Sequence, residues 1–196
     1  MQTSIFGTFT SLPPVVVGGT GGGSSAPAGM GGDSGPYYQD SFTEASTIIS
    51  GASAVATIDK KLRIPANVLK VGDIVEFCFA NLQVGRYSSD TTQLKVQLTN
   101  ASGATLFDST ALNATAAMDL PVKGSFVVTD IGTSGTIKAE ASIPFATADG
   151  NYSAAVDTTQ PITLVETVTH SSNNAGNQTQ AQFGWIRVYR PIKPVQ

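Results

Sequence analysis

Few side chains in this sequence are of a type that does chemistry, and their spacing decides what they could do. Gly32-Asp33-Ser34-Gly35-Pro36 places a serine between turn residues, as a nucleophile would require. Such a serine needs a histidine base and a carboxylate held on a folded scaffold. The sequence has one histidine, His170, far downstream, and only glycine-rich chain precedes Ser34; the segment reads as a turn. The glycine runs Gly18–Gly23 and Gly29–Gly32 lack the following lysine and strand-turn-helix setting of a phosphate cradle. His170 has no second histidine and no nearby cysteine for a zinc site, so a surface or strand-end histidine is expected. Asp149, Asn151 and Asp157 lack the twelve-residue calcium-loop pattern and read as turn residues. The single cysteine, Cys78, lies between Phe77 and Phe79, excludes an intrachain disulfide and reads as a small buried strand residue. The expectation is a protein that is not an enzyme and has no cofactor or metal site.

The aromatics are the remaining candidates. Trp185, Tyr189, Tyr37, Tyr38 and Tyr87 are the types a carbohydrate-binding face uses. Strand geometry puts Phe183, Trp185 and Tyr189 on one face, and in a terminal strand that face is expected to be core. Tyr87, in the Gly85–Asp90 loop, is the candidate for contact with a sugar.

The elements that must position these residues divide the chain in two. Residues 1–40 form an extended Gly/Pro-rich arm, carrying half of the 20 glycines before Pro36. Ile5, Phe6, Phe9 and Leu12 supply an apolar tip. Pro13-Pro14-Val15-Val16-Val17 makes a stiff extended rod, because proline fixes its own φ and restricts its predecessor. The glycine runs are a flexible tether. Fully extended, forty residues reach at most about 130–145 Å, enough to dock into a neighbouring chain; the alternative is an arm folded on its own body. With no Lys or Arg before Lys60 and a net charge of -3, neither arm nor body attracts nucleic acid. No signal peptide or membrane-spanning run is visible. The N-x-Ser/Thr triplets at Asn100, Asn113, Asn151 and Asn177 read as by-products of composition.

Residues 41–196 read as an all-β body with few charges, 13% of the chain. It is organised around Leu62–Phe79: an extended segment, a turn at Val71-Gly72-Asp73, then a strand dense in β-branched and aromatic residues. Pro65 suits an edge strand or a strand end. Strands are expected at Ser46–Ser50, Ala54–Ile58, Ile74–Leu82, Gln93–Leu98, Thr105–Phe107, Ser125–Thr129, Thr136–Ile143, Ile162–Thr169 and Gln182–Tyr189. Turn signals separate them, Asp149-Gly150-Asn151 among them, and Ala111–Leu120 alone is compatible with a helix. Strands at this spacing make a sandwich or a barrel.

The stretch Ile64-Pro65-Ala66-Asn67-Val68-Leu69-Lys70-Val71-Gly72-Asp73 resembles a recurrent element of bacteriophage virion proteins with a jelly-roll domain. There, an Ile-Pro-Ala-Asn-x-Leu-Lys-x-Gly-Asp run leads into the first long strand. Thr92–Leu98, Gly103–Leu106, Ser125-Phe126, Gly135–Ile137 and Asp157–Thr169 fit as well, so the resemblance covers about residues 42–190. It implies a two-sheet jelly-roll sandwich that commonly forms a homotrimer and projects from a capsid or tail. One compact domain behind an arm looks most like a capsid decoration (cement) protein. This implies the major capsid protein as partner of the arm residues Ile5 to Val17, and a location on the virion's capsid surface. A tail-fibre or collar component and a host-glycan-binding module are the alternatives. The resemblance transfers no catalytic residue.

Overall fold

The computed structural model describes residues 35–99, 102–143 and 150–191. They form an all-β body, with no helix among the described residues. The strands are β1 (Tyr38–Phe42), β2 (Ile49–Ser50), β3 (Ala56–Ile64), β4 (Ile74–Gly85), β5 (Thr92–Leu98), β6 (Thr105–Asp108), β7 (Met118–Asp130), β8 (Gly135–Ser142), β9 (Gly150–Val156), β10 (Ile162–His170) and β11 (Gln178–Tyr189).

Two antiparallel sheets face each other. One runs β1-β11-β4-β7-β8-β9, with β2 also on β11; the other runs β3-β10-β5-β6. The winding follows from the pairs. β1 pairs with β11 and β3 with β10, then β4 with β7 and β5 with β6. First strand meets last, and successive pairs alternate between the sheets, which is the wrapped hairpin of a jelly roll. The β8–β9 hairpin extends the larger sheet beyond β7.

The core lies between the sheets because strands of both sheets turn apolar residues inward at alternate positions. Leu94, Val96 and Leu98 do this from β5, and Val75, Phe77 and Phe79 from β4. Phe107 and Phe126 close the interior, both buried.

Several expected elements differ. The run expected at Ala54–Ile58 is the start of β3, which continues to Ile64 and places Pro65 just past the end of an edge strand. Of Ser46–Ser50 only Ile49–Ser50 pairs. β7 is far longer than Ser125–Thr129 and contains Pro121. This is tolerated because β8 joins β7 only from Lys123 onward, leaving Pro121 on an edge that needs no further donor. The helix-compatible segment is instead an irregular crossing. Its Leu112 bridges Thr92, Ala114 is buried, and Met118–Leu120 open β7. β1 straddles the expected end of the arm at residue 40, and β9 begins at the expected turn: Gly150 and Asn151 belong to β9, while Asp149 lies outside the described residues.

Candidate functional site

The stretch Ile64–Asp73 builds a clamp that reaches Tyr37, just before β1. Asn67 takes a left-handed φ of 61° and its N–H donates to the Thr158 carbonyl at 2.9 Å. Leu69 is buried, and Gly72 turns the chain at φ 89°, where a side chain would be strained. The turn closes from the Asp73 N–H to the Lys70 carbonyl at 3.0 Å. Asn67, Leu69, Gly72 and Asp73 are thus each held by a backbone conformation, a hydrogen bond or burial.

Asp73 is the centre of this clamp and is buried. Its Oδ2 accepts from the Lys70 N–H at 2.7 Å and from the Tyr37 hydroxyl. Arg190 grips both oxygens, Nε at 2.9 Å from Oδ1 and an Nη at 3.0 Å from Oδ2, while its guanidinium stacks 4.2 Å over the Tyr37 ring. Burial pushes the Asp73 carboxyl up, but Arg190, Tyr37 and the Lys70 amide outweigh it and hold it below the ordinary carboxylate range. Residues 37 and 190 flank the first and last strands, so one carboxylate ties down both ends of the body. Sequence alone shows Asp73 as a turn residue and gives no sign of these two partners.

A second feature is the outward face of the larger sheet. On β11 the inward residues are Gly184, Ile186 and Val188, all buried. Phe183, Trp185 and Tyr189 do share one face, but it is the outer one, which corrects the expectation that they are core. The cause is a bulge: Ala181 pairs with Asn81 but Phe183 with Ala80, so the alternation reverses there. Neighbouring strands extend the face into rows. Phe183 lies beside Ala80, and Trp185 beside Cys78. Tyr189 lies beside Ile74, which pairs in turn with Val127. Phe183 is 47% exposed, Val127 39% and Ile74 36%. The Arg187 guanidinium lies 4.6 Å from the Trp185 ring centroid. Beside Val127 a hollow of about 460 Å³ opens over β7–β9, bordered by Ser125, Lys138, Glu140 and Ser153. Cys78 has outward parity yet is buried, and burial pushes its thiol up.

The other candidates are structural. His170 ends β10 as expected but is buried rather than on the surface. Its Nδ1 accepts from the Ala52 N–H at 3.1 Å and its Nε2 lies 3.0 Å from Thr179 Oγ1. A ring that accepts at Nδ1 carries its proton at Nε2, and burial lowers its pKa. Asp90 accepts from Asn177 Nδ2 at 2.8 Å and from the hydroxyls of Ser171 and Ser172. Asn177 Oδ1 in turn accepts from the Tyr87 N–H at 2.9 Å, which leaves Tyr87 53% exposed on a braced loop. Asn177 is buried, so its N-x-Thr triplet is closed to modification in the folded body. Asp157 accepts from the Thr159 N–H and hydroxyl. Among the described residues no three His, Cys, Asp or Glu side chains converge as metal ligands. Ile5, Phe6, Phe9, Leu12, Pro13, Pro14, Val15, Val16 and Val17, like Gly32, Asp33 and Ser34, lie outside the described residues.

Reasoning from sequence missed a buried polar layer between the sheets. Gln83 Oε1 accepts from the hydroxyls of Thr92 at 2.9 Å and Thr179 at 3.0 Å. Further inside, Asn81 Nδ2 donates to Glu166 Oε1 at 2.7 Å. The inward parity of Asn81 within the β4 alternation was the available signal.

No family model and no curated protein matches this chain. Among solved structures it is similar to a chain of infectious bursal disease virus, Gx strain, with TM-score 0.38 and 12% identity, covering 78% of this chain and 31% of that one. It is also similar to the CBM2 module of the evolved Dit of Lactobacillus casei BL23 phage J-1, with TM-score 0.31 and 14% identity, covering 68% and 71%. A third is lectin I of Ulex europaeus, in complex with the methyl glycoside of α-L-fucose, with TM-score 0.35 and 8% identity, covering 78% and 98%. This chain spans about a third of the first of these chains, and at such scores the likeness is one of overall β-sandwich form alone.

Proposed function

We propose that this chain is a structural protein of a bacteriophage virion, a head-decoration jelly roll that docks on the major capsid protein through its N-terminal arm. The carrying observation is the clamp: the Ile64–Asp73 stretch, which supports the phage resemblance, forms the Asp73 site that fixes Tyr37 at the arm's root. A rigid root lets tension on the arm pass directly into a folded body. The apolar tip Ile5, Phe6, Phe9 and Leu12 and the rod Pro13–Val17 are the docking segment. Repetition over a shell would multiply modest contacts through effective concentration.

Deleting Met1–Val17 is expected to abolish cosedimentation of the purified protein with undecorated phage heads, while the body keeps its β circular dichroism and melting point. A truncated protein that still coats heads overturns the docking arm. Full-length protein that fails to bind heads overturns the decoration reading and turns attention to a tail-fibre or collar position.

The outer face supports self-association as a homotrimer. Phe183, Ile74 and Val127 are apolar and exposed on the central strands of a large sheet, and a second copy seated there would take them out of water. Phe183→Asp is expected to convert the trimer to monomer in sedimentation equilibrium with the fold unchanged; a variant that stays trimeric moves the interface elsewhere. A host-glycan role has one observation in its favour, the exposed ring of Tyr87 on its braced loop.

A further inference from the structure

Glu166 is a carboxylic residue with no exposed surface. It projects from β10 between the sheets and is fully buried, facing Asn81 of β4 in the opposite sheet. One bond joins them, Asn81 Nδ2 to Glu166 Oε1 at 2.7 Å. The other oxygen of each side chain, Asn81 Oδ1 and Glu166 Oε2, is buried without a partner. Two buried acceptors on one bonded pair with no protein donor are costly.

Rotating the amide does not help. Nδ2 is also surrounded by the carbonyls of Leu120 at 3.3 Å and Phe79 at 3.5 Å. A flip would set Oδ1 against three acceptors. The missing component is a donor, and one proton on Glu166 Oε2 supplies it for both orphans. We propose that Glu166 is held as a neutral carboxylic acid whose O–H donates to Asn81 Oδ1, closing a two-bond ring that latches the two sheets and loosens as pH rises.

Among the described residues no cation compensates Glu166. On β3, Lys60 lies opposite the β10 bulge but places its ammonium 3.6 Å from Glu44, toward the surface. On β5, Lys95 pairs with Asp108 at 2.8 Å on the outer side of its sheet. On β4, Cys78 is near enough to feel the charge of Glu166 but is itself pushed toward its neutral form by burial. His170, farther along β10, is neutral through its bonds to Ala52 and Thr179. β7 presents the Leu120 carbonyl and apolar side chains. Desolvation therefore dominates and pushes Glu166 up to about 8 from 4.5, against the smaller opposing effect of the Asn81 hydrogen bond.

The sign follows from proton counting. Between those two values the folded protein keeps a proton that the unfolded chain releases. The latch's contribution is complete below about pH 4.5 and is lost as pH rises through about 8. His170, whose pKa is lowered, acts in the opposite direction as pH falls, so the comparison must be made against a variant altered at Glu166 alone.

Glu166→Gln provides it. The amide can donate to Asn81 Oδ1 and accept from Asn81 Nδ2 with no titratable proton. The unfolding equilibrium constant of the full-chain protein, from urea titrations between pH 5 and 9, is expected to rise roughly a thousand-fold more in wild type than in E166Q. Independently of whether E166Q folds, carboxyl carbon NMR of native wild-type protein labelled at glutamate should show one carboxyl still protonated at pH 6. Equal pH slopes in wild type and E166Q, or every glutamate ionised at pH 6, would overturn the latch.

Discussion

Phe77→Ala should lower the stability of the body by about 3–5 kcal/mol, the range for removing a large buried aromatic without collapse of the site. Phe77 points inward from β4, is buried, and pairs across the sheet with Gly124 of β7, which pairs in turn with Ala141 of β8. The ring lies where a side chain at 124 would be. A Cβ added to Gly124 would stand 2.6 Å from Phe77 Cζ, 2.7 Å from Ala141 Cβ and 2.8 Å from the Glu140 carbonyl oxygen. β7 thus gives up a side chain so that β4 can hold a large one. Gly124→Val in the wild-type background should therefore also destabilise strongly, by overpacking against groups that cannot yield. Joined to Phe77→Ala, its cost should fall, because one of the three clashes is gone. Urea midpoints of the two single variants and the double variant measure this coupling; strict additivity would show that Phe77 and Gly124 do not share the space.

Asp73→Ala should cost about 2–4 kcal/mol. The substitution strands the Lys70 N–H inside a tight turn and releases Tyr37 and Arg190 together. Arg190→Ala should cost less, since its guanidinium is partly exposed and the carboxylate keeps the Tyr37 and Lys70 donors. Acid should act in the same direction as the substitution. The Asp73 carboxyl is held below its ordinary 3.8, so its contribution is present above that value and lost as pH falls through the folded pKa. In D73A the acid limb of the stability profile should flatten. A D73A protein with wild-type midpoint and wild-type acid limb would show that the clamp holds nothing. Asp73 and Glu166 have opposite signs, and the stability maximum is expected at mildly acidic pH, between their ranges.

The amino-acid sequence by itself determined the all-β body, most of its strands and the turn at Val71-Gly72-Asp73. These rest on local properties: β-branched and aromatic density, alternation such as Leu94, Val96, Leu98, and glycine where φ is positive. The winding of the strands into two sheets came from resemblance and was settled by the pairing of first strand with last. The tertiary structure alone decided which face is inside. Phe183, Trp185 and Tyr189 alternate as core residues do, but the bulge after Ala181 turns them outward, and a bulge is set by the partner strand. It also decided the partners of Asp73. Tyr37 and Arg190 lie far from it in sequence and meet it only because β1 and β11 close the roll beside β4. Glu166 reads as one polar residue within Ile162–Thr169, and no local rule reveals that Asn81 faces it across the core. Local preference writes the strands; the depth, polarity and protonation of a side chain are written by what the opposite sheet places against it.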